Sequence, residues 1–198
     1  MLGLPLALVL GRGDFRGKGI LSGVLLLPLV LPPTVLGYVL LLLLGRRSWF
    51  GGWLEHVLGW TVVFHWSGGV IAAAVAAFPL FLLPARAAIE GVEPRLEQIA
   101  RLLGRSNFSV FLSVTFPLAW KGLASGMVLA FVRSLGDFGA TLMVTGDIPG
   151  RTRTVSMAIY DAAVVRDDPT TAMAFTLLVA GVSMVTLVAT QTLLARRP

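Results

Sequence analysis

Apolar runs close to the roughly 20 residues that a helix needs to cross a hydrocarbon core recur along this chain. Short segments carrying nearly all of its charge separate them. The runs cover about 20–44, 68–88, 117–144 and 172–195, and a shorter one at 2–10 reads as the tail end of a helix. The pattern predicts an all-α integral membrane protein with four full spans and one partial, about five membrane helices in all. Composition agrees: 56% of residues are hydrophobic and 13% charged, with mean hydropathy +0.85, against about 25% charged in soluble domains. Nothing in 1–198 is left over for a soluble domain, so a single membrane domain is expected.

Several function classes fall away on residue type. The net charge of +6 is spread between spans and not gathered on one helix face, which argues against nucleic acid as a partner and leaves lipid. There is no cysteine, so disulfides, iron–sulfur clusters and cysteine-rich zinc sites are excluded. His56 and His65 lack paired ligand spacing, so no metal site is expected. They fall among Trp49, Trp53, Trp60 and Trp66, a composition suited to a membrane–water boundary. The segment GRGDFRGKGI lacks the spacing of a phosphate loop, and Gly19 follows the lysine where Ser or Thr is required. Neither a G-x-S-x-G elbow nor an H-E-x-x-H helix occurs, so no catalytic residue is assigned.

Between the third and fourth runs lies the long polar stretch EGVEPRLEQIARLLGRSNF. Pro94 suits a first helical position and Gly104 a C′ stop. Leu96, Ile99, Ala100 and Leu103 repeat at helical spacing, so they are expected to share an apolar face while Arg95, Glu97, Gln98 and Arg101 project elsewhere. Such a helix either lies in lipid headgroups or docks on a soluble partner.

Other features leave two readings each. Gly122, Gly126, Ala130 and Ser134 form a small-residue stripe that serves packing within the chain or pairing with a second copy. Arg133 and Asp137, four residues apart, can neutralise each other. They line a polar path with Ser134 and Thr141, or they end a helix. Pro32-Pro33-Thr34 frees backbone carbonyls inside the membrane, beside a path or in a packed kink. With the polar helix inside, Arg12, Arg16, Lys18, Arg86, Arg95, Arg101, Arg105, Lys121, Arg196 and Arg197 face the cytoplasm. Arg46, Arg47, Arg151, Arg153 and Arg166 then face out, and the C-terminus is cytoplasmic.

Gln98-Ile99-Ala100, then Gly104, then Val114-Thr115-Phe116-Pro117 resembles the EAA loop of ABC importer permeases (EAA-x3-G-x9-I-x-L-P). Gln98 stands where Glu is usual, with Glu97 adjacent, and Ile99 replaces the first Ala. The runs DFRGKGILSGVLLLPLVLPPTVLGYVLLLLLGRRS, FPLFLLPARAAIEGVEPRLEQIARLLG and LAFVRSLGDFGATLMVTGDIPGRTRTVSMAIY are similar to molybdate-type permeases. Asp137 stands where Glu is commoner. The resemblance implies a MetI-like fold with a curtailed first helix, because family members begin with a complete one. It further implies a homodimer with two ATPase subunits, which carry ATP and Mg, and an extracytoplasmic molybdate-binding protein. No cofactor is implied for this chain, and molybdate is the transported ligand. The segment 93–108 becomes the coupling loop, with Arg95, Glu97, Gln98, Ile99, Ala100, Arg101 and Gly104 its contact residues. Sulfate or tungstate is the alternative cargo, and a membrane assembly protein the alternative class.

Overall fold

A computed structural model describes residues 3–195, and every regular element among them is helical. In chain order these are α1 (Gly3–Arg12), α2 (Lys18–Val30), α3 (Pro33–Leu44), α4 (Trp49–Leu58), α5 (Trp66–Glu90), α6 (Pro94–Leu102), α7 (Asn107–Val110), α8 (Phe116–Leu135), α9 (Gly139–Thr145), α10 (Val155–Tyr160) and α11 (Pro169–Ala195). Two π-helical turns, Phe111–Thr115 and Asp161–Val165, join α7 to α8 and extend α10. Arg196 and Arg197, counted in the charge bias above, lie outside the described residues.

Among the described residues, three stretches are long and apolar enough to cross a membrane: Trp66–Glu90, Asn107–Leu135 and Pro169–Leu194. A fourth is available only if α2 and α3 count as one span, and these are bent by 119°. The run at 20–44, expected to be one span, is therefore broken. Pro28 is tolerated inside α2, whereas Pro33 opens a new helix at its first turn, where a missing N–H costs nothing. The run at 117–144 also divides: the span starts earlier, at Asn107, and ends at Leu135, and α9 follows as a separate short helix. Pro79 and Pro84 remain inside α5. α1 has ten residues, about 15 Å at 1.5 Å per residue.

The chain forms two compact units. The first comprises the described residues up to Leu26, Phe78–Ala130 and those from Leu187 on. Its core joins Ala7 and Leu10 of α1, Leu82, Ala85 and Ile89 of α5, Val92, and Ala119 and Leu123 of α8. Close approach is set by small residues, since lipid gives helices no hydrophobic reason to associate. A Cβ on Gly126 would stand 2.8 Å from the Phe81 carbonyl oxygen and 3.1 Å from Pro84 Cγ.

The second unit comprises Leu27–Ala77 and Phe131–Thr186. Its core joins Leu36 and Leu40 of α3, Ala72 and Ala76 of α5, and Ala140 and Val144 of α9. Here too a glycine seats the helices: a Cβ on Gly37 would stand 2.7 Å from Met143 Cβ and 2.9 Å from Ala140 Cα. By contrast α2 buries no residue, and only 6% of the α11 span is buried within the chain. Those apolar faces suit lipid.

Candidate coupling helix and translocation site

α6 forms where the sequence predicts it, with Pro94 at its first turn and Gly104 just beyond its end. Gly104 has φ +79°, the left-handed conformation that glycine adopts without a Cβ penalty. The amide of Arg105 donates to the Ala100 carbonyl at 3.2 Å, and that of Gly104 to Arg101 at 2.9 Å, closing the helix end.

The orientation of α6 corrects the expectation for Glu97. The apolar side chains point outward: Leu96, Ile99, Leu102 and Leu103 are exposed, Leu102 to 87%. Glu97, which the resemblance places among the coupling contact residues, is only 6% exposed and is the one buried residue of the helix. The reason is a partner surface remote in sequence. Arg12 Nη2 donates to Glu97 Oε1 at 2.9 Å and to the Val92 carbonyl at 2.7 Å. Thr115 Oγ1 donates to the same carboxylate oxygen at 2.7 Å, and Arg101 Nη2 lies 3.6 Å from Oε2. A buried carboxylate is tolerated only when paired and hydrogen-bonded in this way. Arg95, Gln98 and Arg101 are exposed, and Ala100 is half-buried.

The expected path residues Pro32, Pro33, Thr34, Arg133, Ser134, Asp137 and Thr141 all fall in the second unit. The first turn of α3 packs on the first turn of α9, so that a Cβ on Gly139 would meet Pro33 Cβ at 2.9 Å. Pro32, Pro33 and Thr34 are exposed. The Asp137 carboxylate is fully buried. Its Oδ2 accepts from the Thr141 amide at 2.9 Å, while Oδ1 has no hydrogen-bond partner and lies 3.7 Å from Arg133 Nη1. The ion pair read from the spacing thus forms, with Arg133 one-third exposed beside it. The Thr141 hydroxyl is turned inward, donating to the Phe138 and Asp137 carbonyls, and half-buried Ser134 donates to Phe131 at 2.7 Å.

Of the small-residue stripe, Gly126 is buried and Gly122 and Ala130 half-buried. Gly122 and Gly126 both face α5 of the same chain.

A charged cluster that sequence reasoning missed ties the segment 147–166 together. Arg153 grips Asp147 with two bonds, at 2.7 and 3.0 Å, and reaches Asp161 Oδ2 at 2.8 Å. Arg166 pairs with the same Asp161 oxygen. Its position follows from the π-helical turn, where the Arg166 amide bonds to the Asp161 carbonyl five residues back. No helical spacing rule anticipates an i, i+5 pair. Burial pushes the Asp161 carboxyl up, but the Arg166 hydrogen bond and the Arg153 charge outweigh it and hold it below its ordinary value. The hydrogen bond to Asp147 raises the Arg153 pKa further.

Comparison with known proteins decides the family. The model of the "Binding-protein-dependent transport system inner membrane component" family matches residues 3–198. The chain belongs to this family. Its members are the transmembrane components of ABC importers, so this chain is a transport subunit seated in the membrane. It is 50% identical over 158 residues to the molybdenum transport system permease protein ModB of Escherichia coli (strain K12), covering 80% of this chain and 69% of that one. A putative molybdenum transport system permease protein of Bacillus subtilis (strain 168) is 42% identical over 77% of this chain and 67% of its own. ModB of Mycobacterium tuberculosis is 40% identical over 90% and 66% respectively. Among solved structures, a bacterial ABC transporter involved in the import of the acidic polysaccharide alginate matches with TM-score 0.68, at 15% identity, over 98% of this chain and 71% of that one. That likeness establishes the all-helical fold expected from the resemblance, and the family match bears out the resemblance to ABC importer permeases.

Proposed function

We propose that this permease carries molybdate across a bacterial or archaeal inner membrane. It works as a pair of identical chains with two copies of a separate ATPase subunit and an extracytoplasmic molybdate-binding protein. The observation that carries the reading is the 50% identity to a molybdenum transport permease over four-fifths of the chain. ATP and Mg belong to the ATPase, and the permease itself performs no chemistry on its cargo. The whole of 1–198 acts as one membrane domain with its C-terminus cytoplasmic.

In this reading α6 and its flanks, 93–108, form the coupling loop. The exposed side chains Leu96, Ile99, Leu102 and Leu103 fill a groove of the ATPase, with Arg95, Gln98 and Arg101 around them. ATP binding closes the ATPases, α6 moves with them, and the paired permeases alternate between outward and inward openings. The path runs past Pro32–Pro33–Thr34 and the Arg133–Asp137 pair. A dianion is drawn by the half-neutralised Arg133 and released again, because a stronger cationic site would hold it. Asp137 supplies the restraint by pairing with Arg133 at 3.7 Å. Gly122 and Gly126 stabilise the helix pair inside one chain.

The test is ATP hydrolysis in proteoliposomes holding the permease, its ATPase and its binding protein, with molybdate, tungstate or sulfate added. Stimulation by molybdate, lost when Gly104 is replaced by Val, is expected. Stimulation by sulfate alone would replace the cargo while keeping the mechanism. No stimulation by any of the three anions would remove the oxyanion cargo.

A further inference from the structure

A helix that receives a push on its outward face must be held firmly on its inward one. The inward face of α6 rests on one side chain, because Glu97 is its only buried residue. Two separate parts of the first unit meet at that carboxylate, and Arg12 ties in a third through the Val92 carbonyl. Arg12 ends α1, Val92 belongs to the turn entering α6, and Thr115 closes the π-helical turn at the foot of α8. A cavity of about 140 Å³ opens beside them, lined by Leu8, Arg101, Asn107 and Phe111 among others, so apolar packing there is incomplete. The attachment is therefore polar and directional, made of charge-assisted bonds of 2.7–2.9 Å. Apolar contact is non-directional, whereas a carboxylate held by two donors fixes both rotation and register.

We propose that Glu97 is a positioning residue that locks α6 to α1 and to the π-helical turn, so that displacement of α6 is passed into the spans and not lost at its base. The inference deepens the coupling role given to α6 above and rests on it. It assigns Arg12 and Thr115 as the partners through which Glu97 acts. The motion enters on the Leu96–Leu103 face and leaves through Glu97 Oε1.

The experiment measures anion transported per ATP hydrolysed by the reconstituted complex, alongside co-purification of the ATPase. Glu97→Ala is expected to retain the ATPase while the transport ratio falls about fivefold or more, the size of a typical coupling free energy. Glu97→Gln, whose amide oxygen can still accept from Arg12 and Thr115, is expected to fall in between. Thr115→Val lowers the ratio through the other end of the same bond. Leu102→Ala, on the outward face, is expected to weaken co-purification instead. A Glu97→Ala complex that assembles and transports at the wild-type ratio overturns the proposal. Should that variant fail to assemble, unchanged ratios in both Glu97→Gln and Thr115→Val overturn it equally. If the wild-type chain does not bind an ATPase at all, the coupling role fails and the anchor falls with it.

Discussion

Two carboxylates in this chain illustrate how placement decides what a charge does. Asp137 sits at the end of a span, fully buried, with one oxygen held by a backbone amide and the other facing Arg133 at 3.7 Å. Its pairing was legible from the i, i+4 spacing alone. Asp161 lies outside the spanning helices and is gripped by Arg153 and Arg166, a cluster no local pattern announced. Because those partners hold the Asp161 carboxyl below its ordinary 3.8, its contribution to stability is complete above that value. It is lost as pH falls through the lower folded-state value. The melting temperature in detergent is therefore expected to be higher for wild type than for Asp161→Asn at about pH 6, with the gap closing below about pH 4. A gap that stays constant with pH would show that the cluster does not stabilise the fold through the Asp161 charge.

At the scale of elements, helix pairs approach through glycines whose missing side chains are replaced by neighbouring backbone. Gly126 on α8 faces the Phe81 carbonyl, which cannot rotate away as a side chain would. Gly126→Val is expected to destabilise by about 1–3 kcal/mol, read as a lower melting temperature in detergent. Gly136→Ala, whose Cβ would have nothing nearer than the Arg133 carbonyl at 3.9 Å, should stay within about 0.5 kcal/mol. Equal effects at the two positions would remove the packing argument. The stripe of small residues was visible in sequence, but which helix it faces was not, since small-residue spacing is the same for a partner in the chain and a partner outside it. α6 shows the converse. Its limits followed from Pro94 and Gly104, yet its rotation did not, because the residue that turns Glu97 inward is Arg12, 85 positions away.

At the scale of the whole molecule, the basic residues sort with the two compact units. Among described residues, Arg12, Arg16, Lys18, Arg86, Arg95, Arg101, Arg105 and Lys121 fall in the first unit, and Arg46, Arg47, Arg133, Arg151, Arg153 and Arg166 in the second. The chain has no cysteine, so single introduced cysteines report sidedness directly. Leu102→Cys is expected to react with a membrane-impermeant maleimide only from the cytoplasmic face and Arg151→Cys only from the outer face. Reaction of both from one side would reverse the positive-inside reading. Legible in the sequence alone were the membrane class, the ends of α6 and the family. These rest on composition, local spacing and residues met in order along the chain. Folding in three dimensions was needed to show that 20–44 bends by 119°, that α9 separates from the span before it, that Glu97 is held by an arginine 85 positions away, and that a π-helical turn brings Arg166 onto Asp161. A bend depends on what packs against it, as Gly139 does against Pro33, and an inward charge depends on a partner that folding alone brings near.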